Sequence, residues 1–377
     1  MLYIKKIIII TLLLTPLLIG NQEELFNAIK QGNLEKVKRI VAQGTSVNVV
    51  NKKGTTALLY AVKKRSHKIV QFLLEHGAES TISTPNQYGA RPLCKAICHM
   101  DMTIIHTLLE HGAAASINEA TSAGATPLYW AVNRNQESIV RLLLDNGAAP
   151  SVNIKNCYND TPLLLAAGHN NTSLVKLLLE NGAAETINTV NEFQQTALIF
   201  ACDHSNTKMA RLLLEHGAIE SLHISERKDY TPLHLAAIRN NMELVELLME
   251  YGAASSIQVC TKDGYSVLHT TAIYSNLPML RLFCENGALP VINKPNYRSE
   301  TPLFCAVYVS SPHVVRYLLE HGAAPSLSIV AIFGEPYYKP GTKFTPLEYA
   351  RFVQKNFGDT KEIREIIALL TQWTSRG

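Results

Sequence analysis

The sequence predicts an all-α chain, a solenoid of about ten stacked helix-turn-helix units joined by hairpin loops. Three observations predict it. A short motif, Thr-Pro-Leu, begins at Thr126, Thr161, Thr231, Thr301 and Thr345, with variants at Thr56, Arg91, Thr196 and Ser266; from Thr56 to Thr301 it returns every 35 residues. A second motif, Leu-Leu-Glu-His-Gly-Ala or a near relative, keeps the same step and ends at Gly77, Gly112, Gly147, Gly182, Gly217, Gly252, Gly287 and Gly322. Between the two, apolar residues recur at helical spacing, as at Leu244, Val245, Leu247 and Leu248. Two motifs with one period mark a repeat architecture, in which each unit packs only on its neighbours.

The first element stands apart. Residues 1–20 begin with Lys5 and Lys6, continue through an apolar run from Ile7 to Ile19 broken by Thr11, Thr15 and Pro16, and end at Gly20. That run is the length of a signal-peptide core and shorter than the roughly 20 residues of a membrane span. Residues 1–20 are therefore expected to be an export signal, or, if uncleaved, an N-terminal membrane anchor. Residues 21–377 form the repeat domain. Residues 22–48 are a helix pair without the Thr-Pro-Leu motif, as an N-terminal cap should be; repeats run from about 49 to 328. An inserted loop at 329–343 carries Phe333, Pro336, Tyr337, Tyr338 and Pro340, and 344–377 is the C-terminal repeat or cap.

Each part of the repeat has a physical reason. Thr is an N-cap whose hydroxyl accepts an otherwise unpaired amide. Pro follows at the first helical position, where its missing N–H costs nothing. Leu and then Ala, as at Leu233 and Ala236-Ala237, put small side chains where two helices approach closely. A turn near Asn240-Asn241 leads to the second helix, which Gly252 stops by tolerating the left-handed conformation.

Thr231 to Ala237 (Thr-Pro-Leu-His-Leu-Ala-Ala), followed by a turn, a Leu-rich second helix and Gly-Ala, resembles the ankyrin repeat. The resemblance covers residues 22–377. The interval from Gly44 to Gly77 is 33 residues and the later ones are 35, so two residues are added between the second helix and the next motif, as in Gly182 to Asn188. The His of the fourth motif position stands only at His234 and His269. The resemblance implies a protein-binding module that uses its concave face, made by hairpin tips and first helices. On the tips it points to Tyr88, Tyr158, Phe193, Tyr230, Tyr265 and Tyr297. At the ends of the first helices it points to Lys63, Lys64, Arg134, His169, His204, Arg239, Tyr274 and Tyr308. Aromatic and Arg side chains are the types that carry binding hot spots.

Composition bounds the alternatives. Lys plus Arg total 35 against 31 Asp plus Glu, a formal +4 that does not point to nucleic acid. No run of five like charges occurs, and no basic stripe is visible. Seven cysteines, an odd number in a long chain, argue against a disulfide scaffold and read as buried small hydrophobes. There is no phosphate loop, dinucleotide fingerprint, His-Glu-x-x-His or Cys-x-x-Cys. Cys94, Cys98 and His99 lack a fourth metal ligand, and Cys202 with His204 lacks an orienting third group. The expectation is therefore no enzyme, no cofactor and no metal. The chain should be a monomer that is secreted or envelope-associated and binds a protein partner, with membrane contact only through residues 1–20. By analogy with exported ankyrin proteins of host-associated bacteria, it would act on a host partner. The alternative is a membrane-anchored structural scaffold.

Overall fold

In the computed structural model of the protein, which describes residues 21–333 and 341–375, the Thr of the motif caps a seven-residue helix. Its hydroxyl accepts the amide three residues on: Leu59 on Thr56 at 3.0 Å, Tyr129 on Thr126 at 3.1 Å, Phe304 on Thr301 at 3.2 Å. Thr345 in turn donates its own amide to the Glu348 carboxylate at 2.8 Å, closing a capping box. Arg91 makes no capping bond; its guanidinium donates to the carbonyls of Ser83, Gly89 and Ala120 and ties neighbouring loops together.

The chain divides into two units, 1–186 and 187–377. The described part of the first holds five helix pairs: α1 (21–30) with α2 (Leu34–Ala42), α3 (Ala57–Lys63) with α4 (His67–Glu75), α5 (Pro92–Cys98) with α6 (Met102–Glu110), α7 (Pro127–Asn133) with α8 (Glu137–Asp145), and α9 (Pro162–Gly168) with α10 (Thr172–Glu180). The second holds another five: α11 (Ala197–Asp203) with α12 (Thr207–Glu215), α13 (Pro232–Ile238) with α14 (Met242–Glu250), α15 (Val267–Ile273) with α16 (Leu277–Phe283), α17 (Pro302–Tyr308) with α18 (Pro312–Glu320), and α19 (Pro346–Phe357) with α20 (Lys361–Thr374). Within each unit the first helices of successive pairs approach more closely than the second helices do, except at the last step, where α18 and α20 meet as closely as α17 and α19. Small side chains permit it. Ala61, Ala96, Ala131 and Ala166 line the approach in the first unit, and Ala201, Ala236, Thr271 and Ala306 in the second, all with no exposed surface. Thr271 turns its hydroxyl back on the carbonyls of Val267 and Leu268, so no polar group is stranded. Closer packing on one side bends a stack toward that side, so each unit is concave on its first-helix and hairpin face.

The two added residues of the longer repeats fold into a turn of 3-10 helix just after the left-handed Gly, as at Ala78–Thr81 and Ala113–Ser116. The 33-residue interval after Gly44 has no such turn. Beyond it stands a polar ladder that the sequence reading missed. Asn48, Asn118 and Asn153 each donate their amide to a glycine carbonyl 29 residues on, Gly77, Gly147 and Gly182, at 3.1, 2.9 and 3.0 Å. In the second unit Asn188, Gln258 and Asn293 do the same to Gly217, Gly287 and Gly322. Asn118, Asn188 and Asn293 also accept from Ser151, Ser221 and Ser326, each at 2.6 Å. One amide thus satisfies a helix-end carbonyl and a buried hydroxyl of the next repeat.

The hairpins form no continuous sheet. An Asn side chain organises most tips by accepting two amides, as Asn156 does from Tyr158 and Asp160 at 2.9 and 2.8 Å. Gly124, at φ +76, would bring a Cβ within 3.0 Å of the Asn156 backbone, which only glycine avoids. Between repeats Cys157 N donates to Ala123 O at 3.0 Å and Tyr297 N to Asp263 O at 2.9 Å.

His234 and His269 are buried and bond the cap hydroxyls of Thr231 and Ser266 through Nδ1, both at 2.8 Å. Burial pushes both imidazoles down to about 4. Elsewhere the structure departs from expectation. The segment 329–343, read as an inserted loop, holds one short antiparallel strand, β1 (Ala331–Phe333), and most of its partner, β2 (Thr342–Phe344), because backbone leaving α18 and returning to α19 pairs with itself. Pro336, Tyr337, Tyr338 and Pro340, like residues 1–20, which were expected to be an export signal, lie outside the described residues. The cysteines are all free, but only Cys94, Cys202, Cys284 and Cys305 are buried; Cys157, on a hairpin tip, is exposed. No helix among the described residues is long and apolar enough to cross a membrane.

Two predictions follow from this packing. Position 83 is a gap in the ladder, held by a Ser whose buried hydroxyl has no partner. Ser83→Asn restores the rung to Gly112 and stabilises by about 1 kcal/mol, whereas Asn118→Ala costs about 1–2 kcal/mol; urea unfolding measures both. The second concerns pH. The folded imidazoles titrate below their unfolded value of 6.5, so the unfolded chain binds more protons as pH falls. Stability is full above pH 6.5 and is lost toward pH 4, by at most about 3 kcal/mol per histidine. A urea midpoint that is flat between pH 6.5 and 4, or equally steep in His234→Asn/His269→Asn, contradicts it.

Candidate partner-binding surface

In the first unit the concave face presents two aromatic tips. Tyr88 and Tyr158 stand three residues before the cap position and are 61% and 56% exposed. Asn86 and Asn156 hold their backbone amides, both at 2.9 Å, so the rings project from stiff turns. Among the described residues no other ring and no cation stacks on either. Arg134, Lys63 and Lys64 are exposed at the ends of α7 and α3. His169, at the end of α9, meets the Asn133 carbonyl at 3.1 Å.

In the second unit the aromatic residues separate into three registers, three, four and one residue before the cap, which corrects their reading as one row of tips. Phe193 and Tyr297 project and are exposed. Tyr230 and Tyr265 stand one residue before the cap, where the chain turns inward, and are half-buried. Tyr265 donates its hydroxyl to Glu300 at 3.4 Å and lies 5.6 Å from the His269 ring and 6.5 Å from Tyr297. Burial and the Glu300 carboxylate push its phenol well above the usual range. Tyr230 meets His234 edge-on at 6.3 Å. Phe193 is covered by the Arg227 guanidinium at 4.7 Å, which also donates to the Glu192 carbonyl. Tyr297 carries Arg298 at 5.2 Å.

At the ends of the first helices, Tyr308 stacks on Tyr349 at 5.7 Å and Arg239 pairs with Asp203 at 2.7 Å. His204 is exposed at the end of α11, while Tyr274 is 47% exposed with no ring partner among the described residues. Beside Tyr230 a cleft of about 280 Å³ is walled by Ile199, Phe200, Leu235 and Ile238, with Asp203 and Lys228 on its rim. It is a seat for an apolar side chain. Tyr88, Tyr158 and Tyr274 thus keep their rings uncommitted; the others are partly used inside the fold.

Burial pushes Cys94 up to about 12 and Cys202 higher still, so both stay protonated and poorly nucleophilic. Cys202 is fully buried whereas His204 is exposed. Among the described residues no three His, Cys, Asp or Glu side chains gather where they would hold a metal ion.

Two units of stacked helix pairs, each with stiff turns and exposed aromatic rings on its concave side, define a repeat scaffold. The sequence profile described as ankyrin repeats (3 copies) matches residues 25–119, 101–189, 183–258 and 254–328, and the chain belongs to the ankyrin-repeat family, whose repeats are protein–protein interaction modules. One curated protein, the inactive serine/threonine-protein kinase TEX14 of Bos taurus, is 41% identical over 58 residues, 15% of this chain and 4% of that protein's length. Among solved structures, the ankyrin repeat domain of Bcl-3, described as a unique member of the IkappaB protein family, is 27% identical with a TM-score of 0.48, covering 60% of this chain and 97% of that one.

The division of the aromatic residues is open to test. Tyr88→Ala and Tyr158→Ala shift stability by no more than about 0.5 kcal/mol, whereas Tyr265→Ala lowers it by about 1–2 kcal/mol. Equal losses in chemical denaturation would place all three in the framework.

Proposed function

We propose that this chain is an exported, non-enzymatic binding array that engages a partner protein through the concave hairpin and first-helix faces of its units. The observation that carries the reading is the exposed, uncommitted rings, Tyr88 and Tyr158 on that face of the first unit and Tyr274 on that of the second. An aromatic ring on a stiff turn loses little freedom on binding, so burying it against a partner is favourable. Family membership supports the class of activity, and the buried, protonated thiols lend no support to a catalytic role. Export rests on residues 1–20, with their Lys5-Lys6 start and apolar run. Within this reading the protein acts as a monomer on a partner outside its own cell, a host protein in the finer form. If residues 1–20 are retained, the same array becomes an envelope scaffold.

The test replaces Tyr88, Tyr158 and Tyr274, one at a time, by a photo-crosslinking phenylalanine in the full chain, with position 265 as the internal control. The reading expects one defined protein adduct at the three exposed positions and none at 265. The same pattern at all four, or at none, sinks it. N-terminal sequencing of the cell-free protein settles export separately: a start near Asn21 supports cleavage, and an intact Met1 in the membrane fraction supports the scaffold.

A further inference from the structure

The charge of the chain is unevenly placed. Residues 25–74 hold ten Lys or Arg and a single acid, Glu35, whereas residues 76–377 hold 23 Lys or Arg against 27 Asp or Glu. No run of like charge reveals this, because folding gathers the lysines from separate elements. Lys52 and Lys53 lie on the first hairpin, Lys63 and Lys64 at the end of α3, and all four are exposed. Lys36 pairs with Glu24 and Lys38 with Glu35, at 3.1 and 2.9 Å. Among the described residues, none of the four lysines on the hairpin and α3 pairs with a carboxylate. Lys53 holds the tip register that Tyr88 and Tyr158 hold in later repeats of the first unit, so this hairpin presents a cation where those two present a ring.

Lys52 and Lys53 line a cleft of the first unit, and Lys63 and Lys64 stand at the end of the helix that carries its Tyr60. The cleft measures about 500 Å³ and lies between α1 and the first hairpin, with Phe26, Val50, Lys52, Lys53 and Tyr60 among its walls. Phe26 and Tyr60 meet edge-to-face at 5.5 Å and form an apolar bed; Lys64 Nζ sits 5.8 Å from the Tyr60 ring. Val50 is half exposed beside them. Glu23 is the one acid on the cleft wall. An apolar bed with an excess of free ammonium groups around it selects a ligand with an apolar anchor and flanking anions.

We propose that this cleft receives an acidic segment of the partner protein, with an aromatic or large aliphatic side chain on Phe26 and Tyr60 and carboxylates on Lys52, Lys53, Lys63 and Lys64. The inference rests on the protein-binding reading and names the chemistry of one part of the partner. Flexible acidic peptides fit better than a flat anionic surface, because Phe26 and Tyr60 line a recess that a bilayer of headgroups would not fill.

Fluorescence anisotropy on the full chain tests it with three labelled probes: a glutamate peptide with one central phenylalanine, the same peptide without the phenylalanine, and the phenylalanine peptide with lysine in place of glutamate. Vesicles of phosphatidylcholine and phosphatidylserine serve as competitor. The first probe should bind best and weaken with salt. Lys52→Glu/Lys53→Glu should weaken it about ten-fold or more, and Lys63→Glu/Lys64→Glu similarly. Tyr60→Phe should bind normally and Tyr60→Leu poorly. Circular dichroism confirms that each variant is folded. Equal binding of the peptide without phenylalanine, or indifference to both lysine reversals, overturns the proposal. Displacement by anionic vesicles with no specific peptide binding overturns it in favour of a membrane-facing patch. Crosslinking at Tyr88, Tyr158 and Tyr274 is read on the chain with its lysines intact, so the two readings fail separately.

Discussion

The close approach of consecutive first helices is the constraint on which the rest of each unit depends. A helix pair of seven and nine residues cannot enclose a core of its own; it buries its apolar residues only against the next pair. The approach is set by side chains no larger than threonine at Ala61, Ala96, Ala131 and Ala166, and at Ala201, Ala236, Thr271 and Ala306. Because the second helices stay farther apart, each unit bends toward the first-helix side, and the hairpins come to line a concavity. A leucine at any of these positions would overfill the seam and shift the hairpins that carry the exposed rings.

Much of this was legible in the residue string. Thr and Pro announce a helix start through the chemistry of one cap, and Gly announces a stop through a single positive φ; both are local. The helix pairs follow from such signals, down to α19 and α20. What escaped reading involves partners far along the chain. Asn118, Asn153, Asn188 and Asn293 recur at the repeat step, but their purpose appears only when the carbonyl 29 residues on is brought beside them. The same limit hid the basic cleft, whose lysines come from a hairpin and a helix end. Tyr230 and Tyr265 look like their neighbours in sequence, yet two residues of register turn them inward.

Polar groups therefore divide the labour with apolar ones. The Leu and Ile residues of the second helices supply burial, while the Asn amides and cap hydroxyls decide which repeat meets which and at what offset. His234 and His269 belong to this second set: buried, neutral and bonded to their caps, they stiffen the middle of the second unit and tie its stability to acidity. The binding face is assembled on that framework, with rings such as Tyr158 held out by an Asn that has already satisfied the turn beneath them.

The ladder also governs where this chain can change length. Every rung spans 29 residues, including the one from Asn48, although its repeat is two residues shorter than the others. The difference falls between the glycine and the ladder amide, where a turn of 3-10 helix is present or absent without disturbing a rung. The large insertion around 334–340 lies beyond the last rung, which ends at Gly322 and Ser326. Insertions and deletions thus find two permissive places, and an evolving lineage would be expected to add sequence there and leave the interval from amide to glycine untouched.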